Sequence, residues 1–107
     1  MTPYIQVVTT TDNREDAEKI ARALVEERLA ACVQLVSPIE STYWWKGSIE
    51  TAREWVCYIK THESLYDEVE RAIKAIHPYE TPEIIAMSIV GGSNDYLKWL
   101  GREVKTS

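Results

Sequence analysis

The stretch CVQLVSPIESTYWWKGSIETAREWVCYIKT, residues 32–61, decides the fold. Two extended arms meet at Lys46-Gly47, and Gly47 suits a tight turn because glycine adopts a positive φ at no steric cost. Each arm has about fourteen residues, whereas a typical strand has about five or six. At ~3.3 Å per residue the arms predict a hairpin about 45 Å long, which is more than two helices can cover.

The far part of this hairpin carries Tyr43, Trp44 and Trp45 on one arm and Trp55 on the other. Exposed aromatic patches mostly mark interfaces, so we expect neighbouring subunits to cover the hairpin. A second interpretation stays open. Pro38 cannot donate to a strand ladder, and a bulge at this proline would bend the hairpin back onto its own domain.

Outside the hairpin, apolar periodicity predicts alternating strands and helices. A β-branched strand covers residues 4–10, and Asp12 is the predicted cap of a first helix. A second helix covers 63–76. The strand over 83–90 is apolar at both odd and even positions, which predicts that both of its faces are covered. Ser93 is the predicted cap of a last helix.

The order β-α-β-β-α-β plus a C-terminal helix predicts an α+β, ferredoxin-like sandwich with a long β2–β3 hairpin, formed by one domain over residues 1–107. Helical spacing predicts which side chains of the first two helices face the sheet. In the first helix these are Ala17, Ile20, Ala21, Leu24 and Arg28, and in the second they are Leu65, Val69, Ala72, Ile73 and Ile76.

Composition narrows the class of partner. The formal net charge is −5 and the chain has no basic run, so we do not expect it to bind nucleic acid. The N-terminal apolar segment is too short for a signal peptide or a membrane span. Together with the presence of only two cysteines, this predicts a cytoplasmic protein.

The two cysteines are expected to be reduced. A turn centred on Lys46-Gly47 places Cys57 opposite Val36 rather than opposite Cys32. The thiols are then on the order of 13 Å apart along the hairpin, whereas a disulfide needs Cα atoms within ~7 Å. A thiol packed in the core is the favoured interpretation for each cysteine, over a reactive one.

Five motifs occur in the order found in CutA-type divalent-cation-tolerance proteins: ERLAACVQ (27–34), YWWKGSIE (43–50), IKT (59–61), HPYETPEI (77–84) and DYLKWL (95–100). The chain resembles this family over about residues 5–103. The resemblance implies a ferredoxin-like protomer, a homotrimer whose hairpins embrace neighbouring subunits, and a link to copper and other divalent metal ions. It also implies similarity to PII-type signalling trimers, which bind small ligands between subunits.

The resemblance points to one metal candidate, His77. Some members of the family are described as binding copper through a cysteine after the first strand and a histidine pair before the Pro-Tyr. Here those positions hold Thr9, Thr10 and Ile76 beside the single His77. One imidazole is a poor transition-metal site, and His62 lies about 20 Å away at the other end of the second helix. The alternative is that His77 makes hydrogen bonds at the helix end.

A polar set completes the candidate site, and we expect it to line a cleft between subunits. Its members are Arg28, Glu54, Lys60, Tyr79 and Trp99, with Glu80 beside them. Glu54 and Lys60 share one face of a strand but are about 20 Å apart, so they cannot pair directly. The same groups would equally serve as inter-subunit hydrogen bonds and ion pairs.

Three functions are compared. The favoured one is a non-catalytic homotrimer, linked to copper or heavy-metal ions and to the response to them. The second is a PII-like sensor that binds a nucleotide or small anion between subunits, although Gly91-Gly92-Ser93 is a weak phosphate signal. The third is an acylphosphatase-like enzyme, which the chain disfavours because its first loop has Arg14 but no glycine and carries Asp12.

Overall fold

A computed structural model describes residues 1–106. Four strands form one antiparallel sheet in the order β2-β3-β1-β4, so β2 and β4 are its edges. A 3₁₀ turn over Glu63–Leu65 precedes the second helix. In chain order the elements are β1 (Tyr4–Thr11), α1 (Arg14–Glu26), β2 (Cys32–Trp45), β3 (Ser48–His62), α2 (Tyr66–Ile76), β4 (Ile84–Ser88) and α3 (Asn94–Glu103). The ferredoxin-like prediction is confirmed.

The core lies between one face of the sheet and the helices α1 and α2. Helix α1 buries Ala17, Ile20 and Leu24, and α2 buries Val69 and Ile73. The sheet supplies inward side chains at alternate positions, as the two-residue strand period requires. These strand residues are Ile5, Val7, Cys57 and Ile59. Ile76, predicted to be buried, is 43% exposed; it is the last residue of α2 and follows the last buried residue of that helix, Ile73.

Helix α1 begins one residue later than predicted. The cap is Asn13 and not Asp12, since β1 continues through Thr11. Asn13 has extended backbone, and its Oδ1 accepts a hydrogen bond from the Asp16 amide at 2.8 Å. The Thr11 hydroxyl donates to the Asn13 carbonyl at 2.6 Å. Ser93 caps α3 as predicted, accepting from the Tyr96 amide.

The hairpin turn has positive φ at both central residues, 48° at Lys46 and 84° at Gly47, which is the pattern of a type I′ turn. The bulge at Pro38 is confirmed: the strand register shifts between Val36 and Ile39. The bulge adds one residue to β2, so the predicted pairing of Cys57 was wrong by one position: Cys57 lies opposite Leu35 and not Val36.

Within residues 1–106, the outer half of the hairpin has no third strand beside it. β1 pairs with β3 from Trp55 to His62, so residues 39–54 pair only across the hairpin itself. We call residues 39–54 the outer ribbon. It contributes to a long axis of 44 Å. Trp44 is 72% and Ile49 60% exposed, so the bulge does not bury the ribbon against its own domain.

Strand β4 differs most from its prediction. It covers Ile84–Ser88 rather than 83–90, and in the single chain only Ile84 is partly buried against the core while the other four residues are exposed. Ile85 is 49% and Met87 45% exposed. The reason is topological, because β4 is an edge strand beside β1 and the helices pack mainly over β2, β3 and β1. Among residues 1–106, no helix is both long enough and apolar enough to cross a membrane.

Candidate functional site

The HPYETP corner connects the end of α2 to β4 and turns at His77. The His77 amide donates to the Ile73 carbonyl at 2.9 Å and closes the helix. Its own backbone is already extended (φ −74°, ψ 134°), as a residue before proline must be. Pro78 then stops the helix, and Pro82 sets the entry to β4. The corner therefore holds its side chains in fixed positions.

Both ring nitrogens of His77 make hydrogen bonds. Nδ1 accepts from the Tyr79 amide at 3.1 Å, so it carries no proton, and Nε2 then donates to the Thr10 carbonyl at 2.8 Å. This neutral tautomer leaves neither nitrogen with a free lone pair for a metal ion. The geometry matches the hydrogen-bonding role that the sequence left open for His77.

Among the described residues, no group of three or more His, Cys, Asp or Glu side chains could hold a metal ion. His62 is likewise engaged: its Nδ1 accepts from the Ser64 amide at 3.0 Å, and its ring lies edge-on to Tyr4. The side chains of one chain do not fit a transition-metal site, which needs several converging ligands.

Glu54 and Tyr79 meet directly. The Tyr79 hydroxyl donates to Oε2 of Glu54 at 2.8 Å, which links the HPYETP corner to the base of the outer ribbon, where the ribbon joins the rest of the sheet. Glu54 is only 6% exposed. Burial, the hydrogen bond to Glu54 and the negative charges of Glu54 and Asp12 raise the pKa of Tyr79 well above its usual value. The phenol is therefore a neutral donor at physiological pH.

An open groove of about 780 Å³ surrounds this pair. One wall is the outer ribbon, the other is the corner before β4, and Thr10 at the end of β1 contributes to the lining. The lining residues are Thr10, Ser41, Thr42, Tyr43, Trp44, Trp45, Glu54, Tyr79, Glu80, Thr81, Pro82 and Glu83. Aromatic rings and carboxylates therefore dominate the surface of the groove.

The one basic side chain at the groove comes from the turn of the ribbon, as far as residues 1–106 show. The Lys46 ammonium lies 5.4 Å from the ring centroid of Trp45 and 3.6 Å from a carboxylate oxygen of Glu80. Both partners are at the exposed rim. Glu54, Glu80 and Glu83 leave the groove with a negative potential, which attracts cations and repels anions.

The remaining predicted site residues lie elsewhere in the chain. Arg28, predicted on the sheet-facing stripe of the first helix, lies instead near the start of the α1–β2 loop, with φ 60°, and its exposed side chain pairs with Glu103 at 2.9 Å. Lys60 is in β3 opposite Cys32, at the far end from Glu54, and donates to Gln34. Trp99 stacks against Tyr96 in α3, with ring centroids 5.5 Å apart. Of the five predicted residues, one chain brings together only Glu54 and Tyr79, and a cleft between subunits stays a prediction.

The groove also includes residues that sequence reasoning missed. Ser41, Thr42 and Glu83 in the lining were not considered as site residues, and neither was Lys46 at the rim. A signal existed for Lys46, because the turn places it at the tip of the arm that carries the aromatics. The resemblance had indicated Thr10 only as a strand-end position that holds a copper ligand in some relatives; it reaches the groove because β1 ends beside the corner.

Both cysteines are free thiols. Cys57 is fully buried in the core, and burial raises the pKa of its thiol to about 11. Cys32 is partly exposed at the start of β2. The register separates them along the hairpin, since Cys32 pairs with Lys60 and Cys57 with Leu35. The raised pKa and full burial of Cys57 are the opposite of what a nucleophilic thiol requires.

The fold and groove define a class of protein. It is a ferredoxin-like α+β chain extended by the outer ribbon, and residues 1–106 show no evident constellation of catalytic side chains. The sequence pattern of the family described as CutA1 divalent ion tolerance protein matches residues 5–103. The chain belongs to this family.

Known proteins agree with this assignment. The chain is similar to rice Protein CutA 1, chloroplastic, with 44% identity over 98% of this chain and 59% of the rice protein, so it spans only about three-fifths of that relative. It is also similar to the Thermus thermophilus divalent-cation tolerance protein CutA, with 43% identity over 88% of this chain and 91% of the relative. The crystal structure of rice CutA1 superposes with a TM-score of 0.95 at 43% identity, covering 99% of this chain and 97% of the other.

Proposed function

We propose that the chain is a non-catalytic homotrimer of the divalent-cation tolerance class, in which sister chains cover the outer ribbon. The observation that carries the proposal is the ribbon itself, a two-stranded segment with Trp44 72% and Ile49 60% exposed. An isolated two-stranded ribbon is marginal in water and needs further strands or packing. Sister chains supply that packing, and three is the copy number that the resemblance to CutA proteins implies.

A second apolar surface supports the same assembly. On the sheet face opposite α1 and α2, Val36 is 42%, Ile85 49% and Met87 45% exposed. These side chains lie toward the two edge strands, whose outer backbone groups have no partner strand within residues 1–106. Unpaired edges and exposed apolar faces favour association with another chain.

The metal part of the proposal rests on the relatives, such as the Thermus protein described as a divalent-cation tolerance protein. Since one chain offers no converging ligand set over residues 1–106, we assign copper or another divalent ion to places where side chains of different copies meet. His77 is the imidazole that a binding test must include, because the resemblance points to it.

Light scattering tests the assembly. A folded species at nanomolar concentration is expected to have three times the chain mass of 12.3 kDa. A folded species of the single-chain mass would refute the homotrimer. The ribbon would then have to be stable without cover.

A copper titration with metal analysis tests the ion. We expect a fixed number of Cu(II) ions per chain, with binding lost in His77→Ala and kept in the matched control His62→Ala; the ion would then replace one of the two hydrogen bonds that the His77 ring makes in the single chain. Absence of saturable binding, or equal loss in both variants, would remove the metal part of the proposal and leave the assembly standing.

We propose no catalytic turnover. The family description names ion tolerance and no reaction. In the groove, the one close acid–phenol pair has a Tyr79 whose pKa is raised, which is the opposite of what an activated nucleophile or base needs. The carboxylates also disfavour the PII-like alternative, since Glu54, Glu80 and Glu83 repel a nucleotide or other anion. A thermal-shift screen of nucleotides is therefore expected to give no stabilisation.

We place the protein in the cytoplasm. Its two cysteines are free thiols, one of them in the core, which suits a reducing compartment. Fractionation of cells that produce the chain tests this assignment, with recovery in the cytosolic fraction expected.

A further inference from the structure

Glu54 is a buried carboxylate without a cation in its own chain. It is 6% exposed, and no Lys, Arg or His side chain within residues 1–106 forms an ion pair with it. Its one hydrogen-bond donor there is the Tyr79 phenol, on Oε2. A buried carboxylate is strongly unfavourable unless a positive charge compensates it. The single chain therefore leaves Glu54 in need of a cation.

Lys60 is the complementary case on the same strand. Its ammonium donates to the side-chain oxygen of Gln34, and no carboxylate within residues 1–106 forms an ion pair with it. Cys57 and Ile59 pack in the core, so the even-numbered positions of β3 are on the sheet face opposite α1 and α2. Glu54 and Lys60 both belong to that face, about 20 Å apart at ~3.3 Å per residue. One face thus carries an acid and a base that cannot pair within the chain.

Assembly makes both charges costly. The same face exposes Val36, Ile85 and Met87 in the single chain, and the proposed homotrimer covers these side chains. That cover also takes Lys60 and the remaining open surface of Glu54 out of water. A charge buried alone is strongly destabilising, whereas a pair that keeps its hydrogen bonds is tolerated. Each of the two residues therefore needs a partner of opposite charge in the assembled protein.

Rotational symmetry supplies that partner. In a closed ring of three copies, each chain meets its two neighbours through two unlike surfaces. An acid at one end of a strand face and a base at its other end form a complementary pair of such surfaces. The Glu54 end of one copy then meets the Lys60 end of the next, and the rotation repeats the contact around the ring.

The other bases without an ion pair within residues 1–106 suit this role less well. Two are exposed on α1 and α2, on the other side of the sheet, and one alternates with Glu54 along β3 and so faces the other way. Two more are exposed on α3. Lys60 is the one that the sheet face itself carries, and it is partly buried there. In the same order, the others are Lys19 and Arg71, Arg53, and Lys98 and Arg102.

We propose that Glu54 of one chain forms an ion pair with Lys60 of the next chain in the homotrimer, and that this pair fixes how consecutive copies align. Tyr79 holds the carboxylate through Oε2. Oε1 accepts no hydrogen bond from residues 1–106 and is not enclosed, so it is the oxygen that receives the ammonium. A polar pair in an apolar interface specifies register, because another alignment leaves two buried charges unpaired. The inference rests on the homotrimer of the proposed function.

A double-mutant cycle on the intact protein tests the ion pair. Light scattering during a urea titration follows dissociation of the trimer, and urea, unlike guanidinium chloride, does not screen charges. Glu54→Gln keeps an acceptor for Tyr79, and Lys60→Met keeps the length of the side chain. Each substitution leaves one charge buried alone and should weaken association at least about tenfold per contact. The double variant should be no weaker than the weaker single variant, because its second substitution removes a charge that has already lost its partner.

Lys19→Met is the matched control. Lys19 is exposed on α1 and forms no ion pair within residues 1–106, so its effect should add to that of Glu54→Gln. Sites about 20 Å apart in one chain are normally additive as well, so coupling between Glu54 and Lys60 indicates contact between chains. Additive effects in a protein that remains trimeric would overturn the ion pair alone. A wild-type mass of 12.3 kDa would refute the homotrimer and the ion pair together.

A crystal structure of the unmodified protein keeps the proposal falsifiable if a variant fails to fold. We expect the Lys60 ammonium of one chain within about 4 Å of the Glu54 carboxylate of a sister chain, at every interface of the ring. A trimer in which the two groups are farther apart, or in which another base contacts Glu54, would overturn the proposal.

Discussion

The Tyr79 hydroxyl lies 2.8 Å from Oε2 of Glu54, and this contact ties the corner after α2 to the start of the outer ribbon. The two residues are 25 positions apart in the chain. Their side chains join the part of the molecule that has a packed core to the part that has none of its own. Changes to either residue are therefore expected to affect both stability and the groove.

Tyr79→Phe tests this link. The substitution removes the one hydrogen-bond donor that residues 1–106 provide to the buried Glu54 carboxylate, and a hydrogen bond to a charged group contributes about 1.5–3 kcal/mol. We expect the free energy of unfolding, measured with guanidinium chloride, to fall by that amount. Tyr43→Phe is the matched control, because the Tyr43 ring is 41% exposed and its hydroxyl has no hydrogen-bond partner within residues 1–106. Equal effects of the two substitutions would contradict the prediction.

Alkaline pH should destabilise the fold through Cys57. Burial raises the pKa of this thiol to about 11, above its unfolded value of about 8.5. The unfolded chain therefore loses the proton first, so the stabilising contribution is complete below pH ~8.5 and is lost as the pH rises toward the folded pKa. The slope is about −1.4 kcal/mol per pH unit in this window. Cys57→Ala should flatten it, whereas Cys32→Ala should not, in unfolding experiments from pH 8 to 11.

Ile49→Asp should weaken the assembly. Ile49 lies opposite Trp44 on the outer ribbon and is 60% exposed in the single chain, so a charge there is harmless to a monomer and costly in an interface. Light scattering should show the mass falling toward 12.3 kDa on dilution. Val25→Asp changes an apolar side chain of α1 that is 42% exposed and should leave the mass unchanged. An unaltered mass for Ile49→Asp would remove the ribbon from the interface.

Gly47→Ala should strain the ribbon turn. Gly47 has φ 84°, where a Cβ atom costs roughly 1–2 kcal/mol, although no neighbouring atom lies within 4 Å of the added carbon. We expect a loss of that size in the free energy of unfolding. Gly91→Ala meets no atom within 4 Å and has no positive φ, so its effect should be within about 0.5 kcal/mol. The comparison isolates backbone conformation from packing.

The element order could be predicted from the sequence because its signals are local. Alternation and helical spacing located every strand and helix, and Lys46-Gly47 located the turn. The misses came from single-residue effects and from topology. The bulge moved the partner of Cys57 by one position, and the extension of β1 to Thr11 moved the helix cap to Asn13.

The site was harder to predict, because a hydrogen bond between distant segments leaves no local pattern. Glu54 and Tyr79 were both candidates, but only the path of the corner past the end of β1 brings them together. The apolar pattern of β4 predicted that both of its faces are covered. Such a pattern indicates that a surface is apolar, but it does not indicate whether the same chain or another chain covers it.

The two free edges of the sheet are unlike strands, one long and bulged, the other short. Edge pairing of β2 in one copy with β4 in another is a head-to-tail contact, which produces a closed ring when the rotation between copies returns to its start and an open fibre when it does not. Protection from fibre growth then depends on the angle set between consecutive copies. A bulge bends its strand and increases the local twist, so the bulge at Pro38 is a local feature that can tune that angle.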